Sequence, residues 1–106
     1  MLIELREYTV RPGKRDAWVT LFEGELIPYH VANGVTVLGS WIVEDEENTF
    51  VWMRGYEDEA DRAKKAAAMT ESDYWKNDLV PRIEELVERD KHRVKRLLAT
   101  PTSPIR

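Results

Sequence analysis

Only two side chains in this sequence, His30 and His92, are of the type that ordinarily titrates near neutral pH, and no cysteine accompanies them. His30 follows Pro28 near the end of a helical pattern, with Asn33 one turn further on. An imidazole there can act as acid, base or iron ligand, which makes His30 and Asn33 the candidate catalytic pair. The plainer alternative is a histidine at a helix C-terminus, where its cationic form suits the helix dipole. His92 lies in "DKHRVKR" and reads as a structural or edge position on a last strand. Two distant histidines without a close-spaced partner give no metal site. The acidic run Glu44–Glu47 reads as a solvated hairpin tip. Neither a Gly-rich phosphate loop nor a nucleophile elbow is present.

Other polar residues stand where strands should be apolar. In "IELREYT", Glu4, Arg6 and Tyr8 share one face by the two-residue period of a strand. In "TFVWMRGY", Arg54 shares a face with Phe50, Trp52 and Tyr56. With the first and third strands as central neighbours, the two sets meet. Glu4 then pairs with one arginine and leaves the other to hold an anion or a partner subunit, because buried charge demands pairing. The first expectation for Glu4 and Arg6 is a structural ion-pair network at a dimer interface, and the second is a handle for an anionic ligand. The rings are mostly core or interface, but Tyr8, Trp18, Trp41 and Trp52, with Arg54, are the candidate wall of a site for a flat apolar ligand.

The elements that position these groups follow from periodicity and turn chemistry. Residues 2–10 alternate, and Pro12-Gly13 ends the strand. Trp18, Leu21, Phe22, Leu26 and Tyr29 recur at helical spacing, with Pro28 expected to kink the helix and Asn33-Gly34 to stop it. Residues 35–44 and 49–56 read as a hairpin around a polar turn at 45–48. A helix capped by Asp58 should bury Ala60, Ala63, Ala67 and Met69, a small-residue face that either lies close to a sheet or leaves room beside it. Ser72 caps a third helical stretch carrying Trp75, Leu79, Ile83, Leu86 and Val87, divided at Pro81. Residues 91–99 make a final strand. This order predicts an α+β, ferredoxin-like, four-stranded antiparallel sheet with helices on one face, a single domain over residues 1–100 and a tail at 101–106.

Apolar residues on both faces of the strands would leave a bare sheet face too apolar for a monomer, so a homodimer stacked sheet to sheet is expected. The 20 acidic against 16 basic residues argue against nucleic acid as partner. The basic segment Lys91–Arg96 reads as a charged edge strand. No run of residues suits a membrane span or a signal peptide, and a cytoplasmic location is the expectation.

Taken in order, "ELREYTVRPGKRDAW", "IPYHVANG", "LGSW", "FVWMRGY" and "YWKNDLVP" resemble the NIPSNAP family of the dimeric α/β-barrel superfamily, from Ile3 to about Leu98. The resemblance implies a ferredoxin-like subunit that dimerises through its sheet and keeps a cavity between sheet and helices. It implies no particular reaction, so whether the chain is an enzyme stays open. Three functions are expected: binding of a small, largely apolar or aromatic ligand without a cofactor; a cofactor-independent or haem-using monooxygenase built on His30; or a structural adaptor dimer.

Overall fold

A computed structural model describes residues 1–106. Strand β1 (Leu2–Thr9) leads through the Pro12-Gly13 turn, where Gly13 takes a φ of 75° that disfavours side chains, into a helical run. That run is α1 (Arg15–Leu21), a π-helical segment Phe22–Leu26 and α2 (Ile27–Ala32). Strands β2 (Thr36–Val43) and β3 (Glu46–Tyr56) form the hairpin. Helix α3 (Glu59–Glu71) follows, capped by Asp58, whose side chain accepts from the Asp61 N–H. A second π-helical segment (Tyr74–Leu79) passes into α4 (Val80–Leu86), and a short 3-10 turn precedes β4 (Arg93–Leu98). The sheet order is β2-β3-β1-β4, antiparallel throughout, with helices on one face: the α+β, ferredoxin-like arrangement.

Both prolines act alike. Pro28 and Pro81 sit at the start of an α-helix that directly follows a π-helical segment. Proline has no N–H and its ring crowds the carbonyl one turn earlier, so a locally widened turn lets the helix continue. The expected kink at Pro28 and break at Pro81 are thus widened turns.

Core packing follows the strand parity. Tyr8, Val10, Phe50 and Trp52 from the sheet meet Trp18, Leu21, Phe22, Leu26, Leu79, Ile83 and Val87 from the helices in one cluster. Val10 and Val87 bridge the end of β1 to the end of α4, with Glu88 N–H donating to the Thr9 carbonyl at 2.9 Å. Ser72 accepts from the Trp75 N–H at 3.1 Å, the expected cap.

Three local expectations are corrected. The hairpin turn is Glu44-Asp45, with Asp45 at φ 65°, and β3 begins at Glu46, so residues 46–48 belong to the strand. The covered side of α3 runs through Arg62, Lys65, Ala66 and Met69, while Ala60, Ala63 and Ala67 are exposed. Alanine spacing misled because Arg62 and Lys65 lay apolar stems on the protein and keep their charges paired outward. His92 precedes β4 instead of lying on it.

Candidate functional site

Between sheet and helices lies a partly enclosed cavity of about 190 Å³. The aromatic and aliphatic side chains around it are fixed by mutual packing. Phe22 meets Trp52 edge-on at 5.0 Å between centroids, and Trp18 meets Phe50 edge-on at 5.6 Å. The widened turn at Phe22–Leu26 and the helix after it carry Phe22, Leu26 and His30 to one wall. Ala66, Met69 and Thr70 of α3, with Trp75 and Ile83 beyond it, make the opposite wall. Ala66 and Thr70 contribute only short side chains to that wall.

The floor is polar. On the register of β1 and β3, Glu4 lies opposite Arg54 and Arg6 opposite Trp52. Arg54 donates from Nε to Glu4 Oε1 at 2.6 Å, and Arg6 donates from Nη1 to the same oxygen at 3.2 Å. Arg6 Nε donates to the Tyr8 hydroxyl at 2.9 Å. Both guanidinium groups stand over the Trp52 ring, at 5.9 Å for Arg6 and 5.3 Å for Arg54, which favours the cation and restrains it. Glu4 is only 4 % exposed. Burial alone would raise its pKa, but the charge and hydrogen bond of Arg54 and the charge of Arg6 outweigh burial and hold it below the usual carboxylate value. The cluster is therefore one carboxylate between two cations.

His30 completes it. Nδ1 lies 2.7 Å from the Leu26 carbonyl, which can only accept, so Nδ1 carries the proton. Nε2 then accepts from Arg54 Nη1 at 3.0 Å. Burial, with the positive charges of Arg54 and Arg6, pushes the His30 pKa down to about 4 against the opposing effect of the Leu26 bond. The ring is neutral at pH 7, a base whose lone pair is engaged by an arginine. His92 stacks on Tyr8 at 3.6 Å and 10° and also lines the cavity. Burial first, then Arg6 and Arg89, lower its pKa to about 4.

A family model for NIPSNAP matches residues 3–104. The chain belongs to the NIPSNAP family. Solved structures agree. A NIPSNAP family protein from Agrobacterium tumefaciens is 26% identical, with a TM-score of 0.87 over 99% of this chain and 98% of its own. A NIPSNAP-like domain protein from Burkholderia xenovorans is 27% identical, with a TM-score of 0.85 over 97% of this chain and 88% of its own. The fold is also that of a protein described as an antibiotic biosynthesis monooxygenase, at a TM-score of 0.69 and 20% identity over 95% of this chain and all 100% of that one. No curated protein matches the sequence. No helix of the chain is long and apolar enough to cross a membrane.

Within this NIPSNAP fold the expected residues divide. Tyr8, Trp18, Trp52, Arg54, Arg6 and His30 line the cavity, and Glu4 joins the two arginines beneath it. Asn33 does not reach it: its Nδ2 donates to the Tyr29 carbonyl at 2.8 Å and finishes α2. Trp41 lies on the other side of the sheet. The pairing passes from Val37 opposite Arg54 to Gly39 opposite Met53, so an extra residue at Leu38 reverses the faces. Trp41, opposite Val51, is thereby turned to the open face, 47% exposed. Gly39 leaves space for its indole, since a Cβ there would fall 2.8 Å from the ring. The polar network likewise faces the helices, and not the open face on which dimer packing was expected.

His92, Trp75, Arg89, Ala66, Met69 and Thr70 complete the wall without having been singled out for it. The one available signal was the small-residue face expected from Ala60, Ala63, Ala67 and Met69 of α3, of which only Met69 lines the cavity. Tyr8 over His92 carried none, because the contact joins the two ends of the chain.

Proposed function

We propose that this NIPSNAP chain binds a small, largely apolar molecule of about one ring in the cavity between sheet and helices. The supporting observation is the cavity itself, about 190 Å³ with walls from Trp18, Phe22, Trp52 and Trp75. A dry apolar cavity of roughly 150 Å³ in another protein takes up benzene, so the size suits a substituted ring. The open sheet face, with Leu5, Val51, Met53 and exposed Trp41, is the proposed contact with a second copy in a homodimer. A side-chain-filled interior would have favoured the adaptor reading, and this interior is not filled.

The test is to denature freshly purified protein and examine the released material by mass spectrometry, then titrate toluene while following tryptophan fluorescence. A retained compound or a saturable fluorescence change is expected. Neither, across millimolar toluene, would remove the ligand-binding reading. Light scattering at micromolar concentration reports the dimer, and a monomer there would remove it.

A second reading rests on His30. A neutral imidazole at the cavity wall can take a proton from a phenolic substrate once its Nε2 is released by Arg54, and the fold is shared with the monooxygenase named above. Oxygen uptake with phenols and dihydroquinones tests it, and silence across a broad panel counts against it. Haem suits the site poorly. A tetrapyrrole is several times larger than the cavity, and the Nε2 lone pair that would reach iron is engaged by Arg54. An added-haem Soret shift lost in His30→Ala would reverse that judgement.

A further inference from the structure

We infer that the molecule this cavity takes is an anion, specifically a single-ring aromatic carboxylate held by the free edges of Arg6 and Arg54. The inference rests on the ligand-binding reading above and adds the charge. Two guanidinium groups line the cavity and one carboxylate, Glu4, pairs with both. Neither arginine forms an ion pair with any other acid. His30 and His92 are neutral and offer no negative charge. Arg89, the other cation on the wall, is occupied by Glu84 at 3.1 Å.

The cluster therefore carries one positive charge more than it neutralises, at a site where side chains are only 17% and 14% exposed for Arg6 and Arg54. Buried charge without a counter-charge is costly. An anion of matching size removes that cost. The geometry says where it sits. Trp52 lies beneath both guanidiniums, and each carries more N–H donors than it has partners here. A carboxylate accepts from such donors through paired hydrogen bonds. Behind it the cavity has space for one ring, and its walls are flat aromatic surfaces.

The experiment compares benzoate, its neutral isostere benzamide and toluene by calorimetry and tryptophan fluorescence at pH 7. Benzoate is expected to bind roughly tenfold or more tightly than benzamide, the difference a charge-assisted hydrogen bond gives over a neutral one. In Arg54→Met the Glu4–Arg6 pair survives as a neutral unit, so the variant is expected to fold and to lose the benzoate preference while keeping toluene. Arg6→Met serves the same purpose by leaving Glu4 with Arg54, and circular dichroism reports folding in both. Equal binding of benzoate, benzamide and toluene would overturn the anionic inference and leave the apolar reading standing. Toluene binding without benzoate would do the same. No binding by any of the three would remove both. A benzoate preference that persists in folded Arg54→Met and Arg6→Met would place the anion elsewhere and overturn the assignment to these residues.

Discussion

Each face of this sheet departs from the usual distribution at a few residues. The covered face carries Glu4, Arg6 and Arg54 among the core rings, whereas the uncovered face carries Leu5, Val51, Met53 and Trp41. Charges ordinarily go where water is, and apolar side chains where it is not. Where the strands break that rule on both sides, each side lacks something. The covered side has two cations sharing one carboxylate, an excess of positive charge that asks for an anion. The uncovered side has an apolar surface without a cover, which asks for another protein surface. One β-bulge at Leu38 is enough to move a tryptophan from the first account to the second.

The most severe test of the covered face is Glu4→Gln. It leaves Arg6 and Arg54 together with no carboxylate between them, and removing one member of a buried pair typically destabilises by about 3–5 kcal/mol. Chemical denaturation should show a loss of that order. A loss under about 1 kcal/mol would mean that water already reaches the guanidiniums and that the charges are not buried in any useful sense.

Acid should find the same face. The folded pKa of His30 is about 4 against 6.5 when unfolded, so between those values the unfolded chain binds the proton and the folded one does not. Stability is then full above pH 6.5 and falls as pH drops toward 4, by about 3 kcal/mol from His30 alone. His92 pulls in the same direction, as its pKa is also about 4. Glu4, held below its usual value, adds a loss below pH 4.5. Denaturation midpoints measured from pH 7 to 4 should fall, and His30→Gln should fall less. A parallel slope in that variant would assign the acid sensitivity elsewhere.

For the uncovered face the counterpart is Val51→Lys. Val51 lies beside Trp41, and its side chain is half-buried in the single chain. A charge at the centre of the proposed sheet-to-sheet contact should weaken self-association by roughly 100-fold or more. The monomer's own stability should change by less than about 1 kcal/mol, as at other surface sites. Sedimentation across a concentration series separates the two. An unaltered dimer would show that association uses another surface.

How far the sequence revealed this depends on distance along the chain. Glu4, Arg6 and Tyr8 on one face, and Arg54 with Trp52 on its neighbour, follow from a period of two and a topology of few alternatives. The expectation that Glu4 pairs with one arginine and leaves the other followed from those, whereas its carboxylate reaches both. Which face met the helices was beyond periodicity, because both faces are partly apolar, and so the network was assigned to the wrong side. Leu38 gives no local sign of a bulge apart from Gly39 after it. His92 against Tyr8 and Arg89 against the cavity depend on how the final turn lands on β1, which no local pattern encodes. Asn33 fits two expectations, a partner for His30 and, with Gly34, the helix stop, and only the second role is found.

Arg6→Lys is the finest test, because it keeps the charge of the covered face and removes only its shape. Arg6 reaches two acceptors in different directions, Tyr8 through Nε and Glu4 through Nη1. A lysine ammonium is a point charge on a flexible stem and cannot span both with the same planar fork. It will keep the attraction to Glu4 and give up the Tyr8 bond, a loss of about 1 kcal/mol. The phenol of Tyr8, stacked beneath His92, is then left short of its donor. If the excess positive charge is what the face supplies, the Arg6→Lys variant should still prefer benzoate over benzamide, and by a smaller factor than the parent. If the planar edge is what matters, the preference should disappear although the net charge is unchanged. Measured beside Arg54→Met, which removes charge and edge together, this substitution decides whether the covered face is read by its field or by its geometry.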